Sequence, residues 1–215
     1  MFFTPIDMKS WYRIQTFSYF TQMAPTTYAL TVNIDITDLR RVLKSKGLKF
    51  YPAYLWLITK HLNEQPEFKI AEKDGQIGYY DTLTPFYAVF HDDDHSFSMI
   101  WQEYSDDFKA FYAGYLENQA KYSDQHGFLA RPELPPPNAY TVSCMPWVSF
   151  THFSVHSDNK NYFFPSVEAG KFIEKDGRVL LPLSITCHHA VTDGYHIKTF
   201  LEAFQQSANT FEQFI

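Results

Sequence analysis

The junction at residues 179–204 constrains the fold more than any other part of the chain. An apolar run, Val179-Leu180-Leu181-Pro182-Leu183-Ser184-Ile185-Thr186, passes directly into Cys187-His188-His189-Ala190-Val191-Thr192-Asp193-Gly194-Tyr195-His196 and then into Ile197-Lys198-Thr199-Phe200-Leu201-Glu202-Ala203-Phe204. The first segment reads as a buried strand and the last as an amphipathic helix. An imidazole pair therefore sits where a strand ends, and a carboxylate and a glycine open the following helix. Neighbours on an extended strand face opposite sides. His188 and His189 cannot share one role, and only one of them can face a substrate.

The remaining segments supply the sheet and the helices that such a junction needs. Residues 28–36 alternate as a strand, Thr37 is expected to cap a helix over 38–46, and Gly47 ends it. Pro52 opens a second helix to about Gln65, before Pro66. Asp74-Gly75 and Asp176-Gly177 each mark a hairpin; the tetrapeptide Glu-Lys-Asp-Gly that contains both is turn chemistry, not duplication. Residues 85–90 and 96–101 read as paired strands, 106–123 as a third helix, and 140–145, 148–156 and 178–187 as further strands. The Pro-rich stretch 131–138 crosses the surface. Strands interspersed with helices, without a regular βαβ period, predict an α+β two-layer sandwich: a mixed, mostly antiparallel sheet with helices on one face. A length of 215 residues suits a single domain, 1–215.

A net charge of −6, with no Lys/Arg stripe, argues against nucleic acid as a partner. No apolar run approaches the roughly 18 residues of a membrane span, and the opening residues lack a basic start and a cleavage site. Cys144 and Cys187 lie in apolar, strand-like contexts and read as buried thiols of a cytoplasmic protein. Aromatic residues reach 19%, enough to line an apolar ligand cavity once the core is filled.

His189 is the candidate general base, because an imidazole near neutrality suits removal of a hydroxyl proton. His188 keeps a structural role. Asp193 reads either as a helix N-cap or as an orienting acid, and Gly194 as a special backbone conformation or close packing at the helix start. Cys187 points away from its histidine neighbours, which argues against a thiol nucleophile. A zinc site from His189, Asp193 and His196 would need His189 to be helical already. His91-Asp92-Asp93-Asp94-His95 reads as a solvated hairpin turn, so no metal is expected there.

The segment His188-His189-Ala190-Val191-Thr192-Asp193-Gly194 resembles the HHxxxDG signature of chloramphenicol acetyltransferases, whose looser HxxxDG form occurs in dihydrolipoamide acyltransferases and condensation-type acyltransferases. Four further segments match in the same order: residues 10–13, 49–52, 143–150 and 161–165. The resemblance covers nearly the whole chain and implies a CoA-dependent acyltransferase-like fold. It implies direct transfer from acetyl-CoA, as co-substrate and without metal or prosthetic group, to a hydroxyl of chloramphenicol or a similar apolar alcohol. It also implies a cytoplasmic homotrimer with active sites between subunits. Carried over residue by residue, His189 is the base and Ser143 the oxyanion donor. Asp193 pairs with Arg13 to support the site with Gly194. Lys49, Tyr51, Lys171 and Phe172 hold CoA, while Tyr19, Phe20, Phe128, Phe153, Val155 and Glu168 line the acceptor pocket. Glu168 replaces a usual threonine and Phe20 a tyrosine. The expectation for Glu168 is that it turns to a hydrogen-bonding or basic partner such as Lys171. The alternatives are an acyltransferase for another alcohol, a dihydrolipoamide acyltransferase core, or a catalytically impaired trimeric binder of hydrophobic ligands.

Overall fold

In the computed structural model, which describes residues 1–157, 159 and 161–215, the elements follow the apolar periodicity. Strand β1 (Phe3–Pro5) precedes helix α1 (Ile14–Ser18), which continues as a π-helical turn over Tyr19–Met23. Next come β2 (Thr27–Asp35), α2 (Thr37–Ser45) and α3 (Phe50–Asn63). Then follow β3 (Ile70–Lys73), β4 (Gln76–Tyr80), β5 (Thr84–Phe90) and β6 (Phe97–Trp101). The rest are α4 (Phe108–Tyr122), β7 (Ala139–Met145), β8 (Ser166–Gly170), β9 (Ile173–Lys175), β10 (Arg178–His188) and α5 (Gly194–Asn209).

The main sheet has the order β2-β10-β8-β7-β5-β6, with β9 also on β10. β7 runs parallel to both of its neighbours and every other pair is antiparallel. A small sheet, β1-β4-β3, stands apart. Register sorts the side chains of the main sheet into two faces. Val142 opposes Val167, and Ile185 opposes Val167 from the other side; Cys144, Ala169 and Leu183 form the next row. These residues join Trp56, Leu55, Phe111, Phe200 and Phe204 from the helices in one buried cluster. The opposite face presents Ser143, Glu168, Ser184 and Thr31 in one row and Ser166 beside Thr186 in the next. This is the α+β sandwich that the pattern predicts.

Turn chemistry is where the sequence reads most literally. Asp74 and Gly75 have φ of 52° and 76°, and Asp176 and Gly177 of 51° and 74°, the left-handed pair that a two-residue hairpin requires. Gly47 ends α2 at φ 66°.

Three expectations need correction. Thr37 is the first residue of α2 and not its cap; Asp35 accepts from both the Thr37 amide and its hydroxyl. α3 starts at Phe50, ahead of Pro52, and stops at Asn63. Residues 148–156 are not a strand: Phe153 is tied through its backbone to the Thr31 and Ser184 side chains on the open face of the sheet, and the strand lies later, at β8. Of the alternating apolar residues there, Phe150 and Phe153 are half-buried while Val148 and Val155 stay exposed, and none of them pairs in a ladder. Gly170 makes room for this segment, since a Cβ on it would stand 2.9 Å from the Phe150 ring and 3.0 Å from the Val148 carbonyl oxygen.

Candidate active site

β10 ends at His188, and His189 is the first residue beyond it, still tied back by its amide to the Thr26 carbonyl at 2.9 Å. The two imidazoles part there. His188 is buried, edge-on to Phe163, and its Nδ1 accepts from the Ala190 amide at 3.1 Å. Burial, and then the neighbouring His189, hold its pKa below the ordinary value. His189 is less enclosed. Its Nδ1 lies 3.0 Å from the Thr192 carbonyl oxygen, which can only accept, so the hydrogen sits on Nδ1 and the Nε2 lone pair is left free. Phe20 stacks on the ring at 4.2 Å and Tyr28 leans on it at 5.0 Å. His189 Nε2 is thus left uncommitted, while His188 has spent its own lone pair on the backbone.

The turn that fixes this geometry is anchored at Asp193. Its Oδ1 accepts from the Tyr195 amide as N-cap of α5, the His196 Nδ1 accepts from the Asp193 amide, and Asp193 Oδ2 meets Arg13 Nη1 at 2.9 Å. Cap and ion pair coexist. Burial pulls the Asp193 carboxyl upward, but the Arg13 hydrogen bond and the His196 and Arg13 charges outweigh it, and its pKa is lowered. Among the described residues, the ligand atoms of His189, Asp193 and His196 do not all come within 4.8 Å of one another, so these three do not form a metal cluster. Gly194 departs from expectation. It is the first residue of α5, its φ is not positive, and a Cβ there would meet nothing within 4 Å. Neither backbone conformation nor packing within the protomer demands glycine.

Ser143 lies in register with Glu168, and Glu168 with Ser184. Five residues at about 3.3 Å each carry the strand roughly 16 Å from Ser184 to His189, and Ser143 is two further strand spacings of about 4.8 Å to the side. A single chain therefore does not bring His189 and Ser143 together. Glu168 is 1% exposed. The Ser166 hydroxyl donates to its Oε1, and Oε2 has no partner, nor has Thr186 Oγ1 on the same face. Lys171 is not its partner: its side chain is exposed while Glu168 is buried, and its amide donates to the Val148 carbonyl at 2.8 Å. Burial, only partly opposed by the Ser166 hydrogen bond, raises the Glu168 carboxyl from 4.5 to about 7.

The expected acceptor pocket divides between places. Phe20 stacks on His189 and Tyr19 meets Phe20 edge-on at 5.0 Å. Phe153 is bonded through its backbone to Thr31 and Ser184 in the Ser143 row, and exposed Val155 precedes His156, which bonds Thr27 opposite His188. Phe128 is two-thirds exposed and faces Phe86 at 6.5 Å. Two hollows of the protomer are lined by neither His189 nor Ser143. Of the residues expected to hold CoA, Lys49 is the N-cap of α3 and Phe172 meets Phe50 edge-on at 4.9 Å, which places both at one end of that helix. Tyr51 gives its hydroxyl to the Ala88 carbonyl at 3.3 Å. Arg40, which sequence reasoning missed, lies over the Phe172 ring at 4.5 Å. Nothing local marked it, because helix α2 carries several other cations. Cys187 and Cys144 are free, with burial pushing their thiols to about 12 and about 11, so neither is a nucleophile.

A sheet covered by helices on one face, with a histidine whose Nε2 is uncommitted at a strand end and polar groups on the open face, belongs to one class: an acyltransferase of the CoA-dependent fold. The family model described as chloramphenicol acetyltransferase matches residues 1–205, and the chain belongs to that family. It is 40% identical over 217 residues to a chloramphenicol acetyltransferase of Clostridium perfringens, covering 100% of this chain and 99% of that one. It is 39% identical over 208 residues to one of Staphylococcus aureus, covering 96% and 95%. A solved chloramphenicol acetyltransferase structure superposes with a TM-score of 0.83 at 24% identity, over 95% of this chain and 99% of the other. The dihydrolipoamide acetyltransferase of Azotobacter vinelandii shares the fold alone, at a TM-score of 0.64 and 18% identity over 87% and 83%. No described helix is long and apolar enough to cross a membrane.

Proposed function

We propose that this enzyme transfers an acetyl group from acetyl-CoA to a hydroxyl of chloramphenicol. The observation that carries the reading is His189, with Nδ1 held as N–H by Thr192 and Nε2 free beside Phe20. His189 Nε2 takes the hydroxyl proton as the oxygen attacks the thioester carbonyl. The Ser143 hydroxyl donates to the oxyanion. Collapse of the tetrahedral intermediate expels CoA thiolate, which recovers the proton from the imidazolium. Neither a covalent acyl-enzyme nor a metal is needed. Lys49, Tyr51, Lys171 and Phe172 bind CoA, and Tyr19, Phe20, Phe128, Phe153, Val155 and Glu168 bind the acceptor.

The working form is a homotrimer in the cytoplasm, each chain acting as one domain. The separation of His189 from Ser143 along β10 supports a site assembled from two protomers, with the base from one and the oxyanion donor from the next. Exposed Phe97, Phe128, Trp147 and Val155 on or near the open face supply apolar surface for such a contact.

The test is thiol release from acetyl-CoA on adding chloramphenicol to the purified chain, with the oligomer measured by light scattering. Turnover by a trimer is expected; a folded trimer that binds chloramphenicol without releasing CoA would overturn the reading. Glu168 favours a second reading, an acyltransferase for an alcohol bearing another hydrogen-bond donor, since its buried Oε2 lacks a partner. A panel of hydroxylated acceptors separates the two.

A further inference from the structure

The hairpin between β5 and β6 is a solvated turn, as its Asp-rich sequence predicts, but a histidine from outside joins it. His91, Asp93 and His126 each offer a ligand atom within 4.8 Å of the others. The His91 and His126 rings stack at 4.2 Å and 19°. His91 is 5% exposed. Its Nε2 is 2.7 Å from Ser98 Oγ, and that hydroxyl spends its single hydrogen on the Gln125 carbonyl at 2.8 Å. Ser98 can then only accept from His91, so His91 carries its hydrogen on Nε2 and keeps a lone pair on Nδ1. His126 Nδ1 lies 3.0 Å from Asp94 Oδ2, and its Nε2 lies 3.3 Å from Asp93 Oδ2. Asp94 is itself fixed by the Ser96 amide at 2.9 Å.

The pattern is that of a metal-binding histidine pair. A ligating imidazole coordinates through one nitrogen and donates the hydrogen of the other to a carboxylate or a hydroxyl, which sets its tautomer and orientation. His91 has Ser98 in that position and His126 has Asp94. We infer that His91 Nδ1, His126 Nε2 and Asp93 form a binding site for a divalent transition ion of the zinc or cobalt type, with water in the fourth position. Two nitrogens and one carboxylate suit such ions better than magnesium or calcium, which prefer all-oxygen shells. Bonds of about 2.0–2.1 Å draw the ligand atoms closer than 4.8 Å. Asp93 and His126, with side chains 71% and 44% exposed, are free to close on buried His91. With its hydrogen on Nδ1 toward Asp94, His126 offers the Nε2 lone pair to the ion, and a doubly protonated ring must first release its Nε2 proton.

The ion would brace one segment against the hairpin. Residues 125–130 already bond it through Ser98 to Gln125, Met99 to the Phe128 carbonyl at 2.7 Å, and Ala130 to the Met99 carbonyl at 3.1 Å. This site is independent of which alcohol the enzyme acetylates.

The test is titration of the metal-free full chain with Co²⁺, followed by visible absorption and by thermal unfolding. One ion per chain is expected, displaced by Zn²⁺, with a raised Tm and slower hydrogen exchange at the Met99 and Ala130 amides. His126→Ala and Asp93→Asn remove exposed groups and should keep the native circular dichroism while weakening Co²⁺ binding at least tenfold. Asp94→Asn should weaken it about tenfold through orientation alone. His152→Ala, at an exposed histidine on another loop, should leave it unchanged. Absence of saturable uptake by the wild-type chain, or uptake that persists in His126→Ala, would overturn the site.

Discussion

The two faces of the main sheet are built from the same strands yet obey different rules. On the helix side, Val142, Val167, Ala169, Leu183 and Ile185 fill the core and bring no polar side chain needing a partner. On the other side, Ser143, Ser166, Glu168, Ser184 and Thr186 lie under a loop rather than a layer of helices, and two of their oxygens are buried without partners. The named helix-side residues leave nothing polar unpaired, although the Tyr87 hydroxyl on the same face is buried without a partner. The other face carries Glu168 Oε2 and Thr186 Oγ1, buried without a partner within the chain. An unpaired buried polar group is a liability in a finished core; across an interface or a ligand site it is a binding feature. The two histidines at the end of β10 repeat the contrast, His188 satisfied within and His189 left with a free lone pair.

Breaking the reactive side at its base should have the largest effect. His189→Ala should lower turnover by at least about 10²–10⁴-fold in a thiol-release assay, with circular dichroism and CoA binding near wild type. His188→Ala should instead lower the thermal midpoint. Equal inactivity of a folded, trimeric His188→Ala would sink the division between them. Next in size, Ser143→Ala should lower turnover by about 10²–10³-fold with little change in the Michaelis constants. A raised Michaelis constant with intact turnover would move Ser143 from oxyanion to pocket.

A smaller loss is expected at the anchor. Arg13→Ala and Asp193→Asn should each destabilise by about 1–3 kcal/mol in urea unfolding, and the double variant should be little worse than either. Additive losses would mean that the 2.9 Å pair does no coupling.

Glu168 sharpens the comparison through pH. Its carboxyl is raised on folding, so its favourable contribution is complete below the ordinary 4.5 and is lost as pH rises through about 7. Stability measured from pH 5 to 8 should fall with a limb that Glu168→Thr removes. Turnover should fall over the same limb, because an ionised Glu168 repels the developing oxyanion, and Glu168→Thr should raise turnover several-fold at pH 8. Loss of activity in that variant would make the carboxylate a working acceptor contact. The smallest effect belongs to Gly194→Ala, which should leave stability and turnover near wild type, since the protomer leaves open space there. Inactivity would reveal a neighbouring subunit or substrate against that position.

Strands, helices and hairpins were legible wherever periodicity and turn residues speak locally. The Asp-Gly pairs fixed two hairpins and the run into His188 fixed β10. Residues 148–156 misled, because alternating apolar residues read the same whether a segment pairs in a sheet or lies across one. Gly194 misled in the other direction, its place in the motif suggesting a steric need that the open helix start does not show. The Arg13–Asp193 pair was reached only through family resemblance, as a sequence separation of 180 carries no local signal.

By itself the sequence determined the α+β architecture and the different surroundings of the adjacent histidines, because side-chain direction alternates with every residue of a strand. Only the tertiary structure decided which nitrogen of His189 is free, since that depends on the carbonyl of Thr192 rather than on any side chain. It alone decided that Glu168 is buried against Ser166, that His126 reaches the β5–β6 hairpin, and that His189 and Ser143 stand apart on one protomer. Those are matters of distance across the chain, which strand register sets and composition does not.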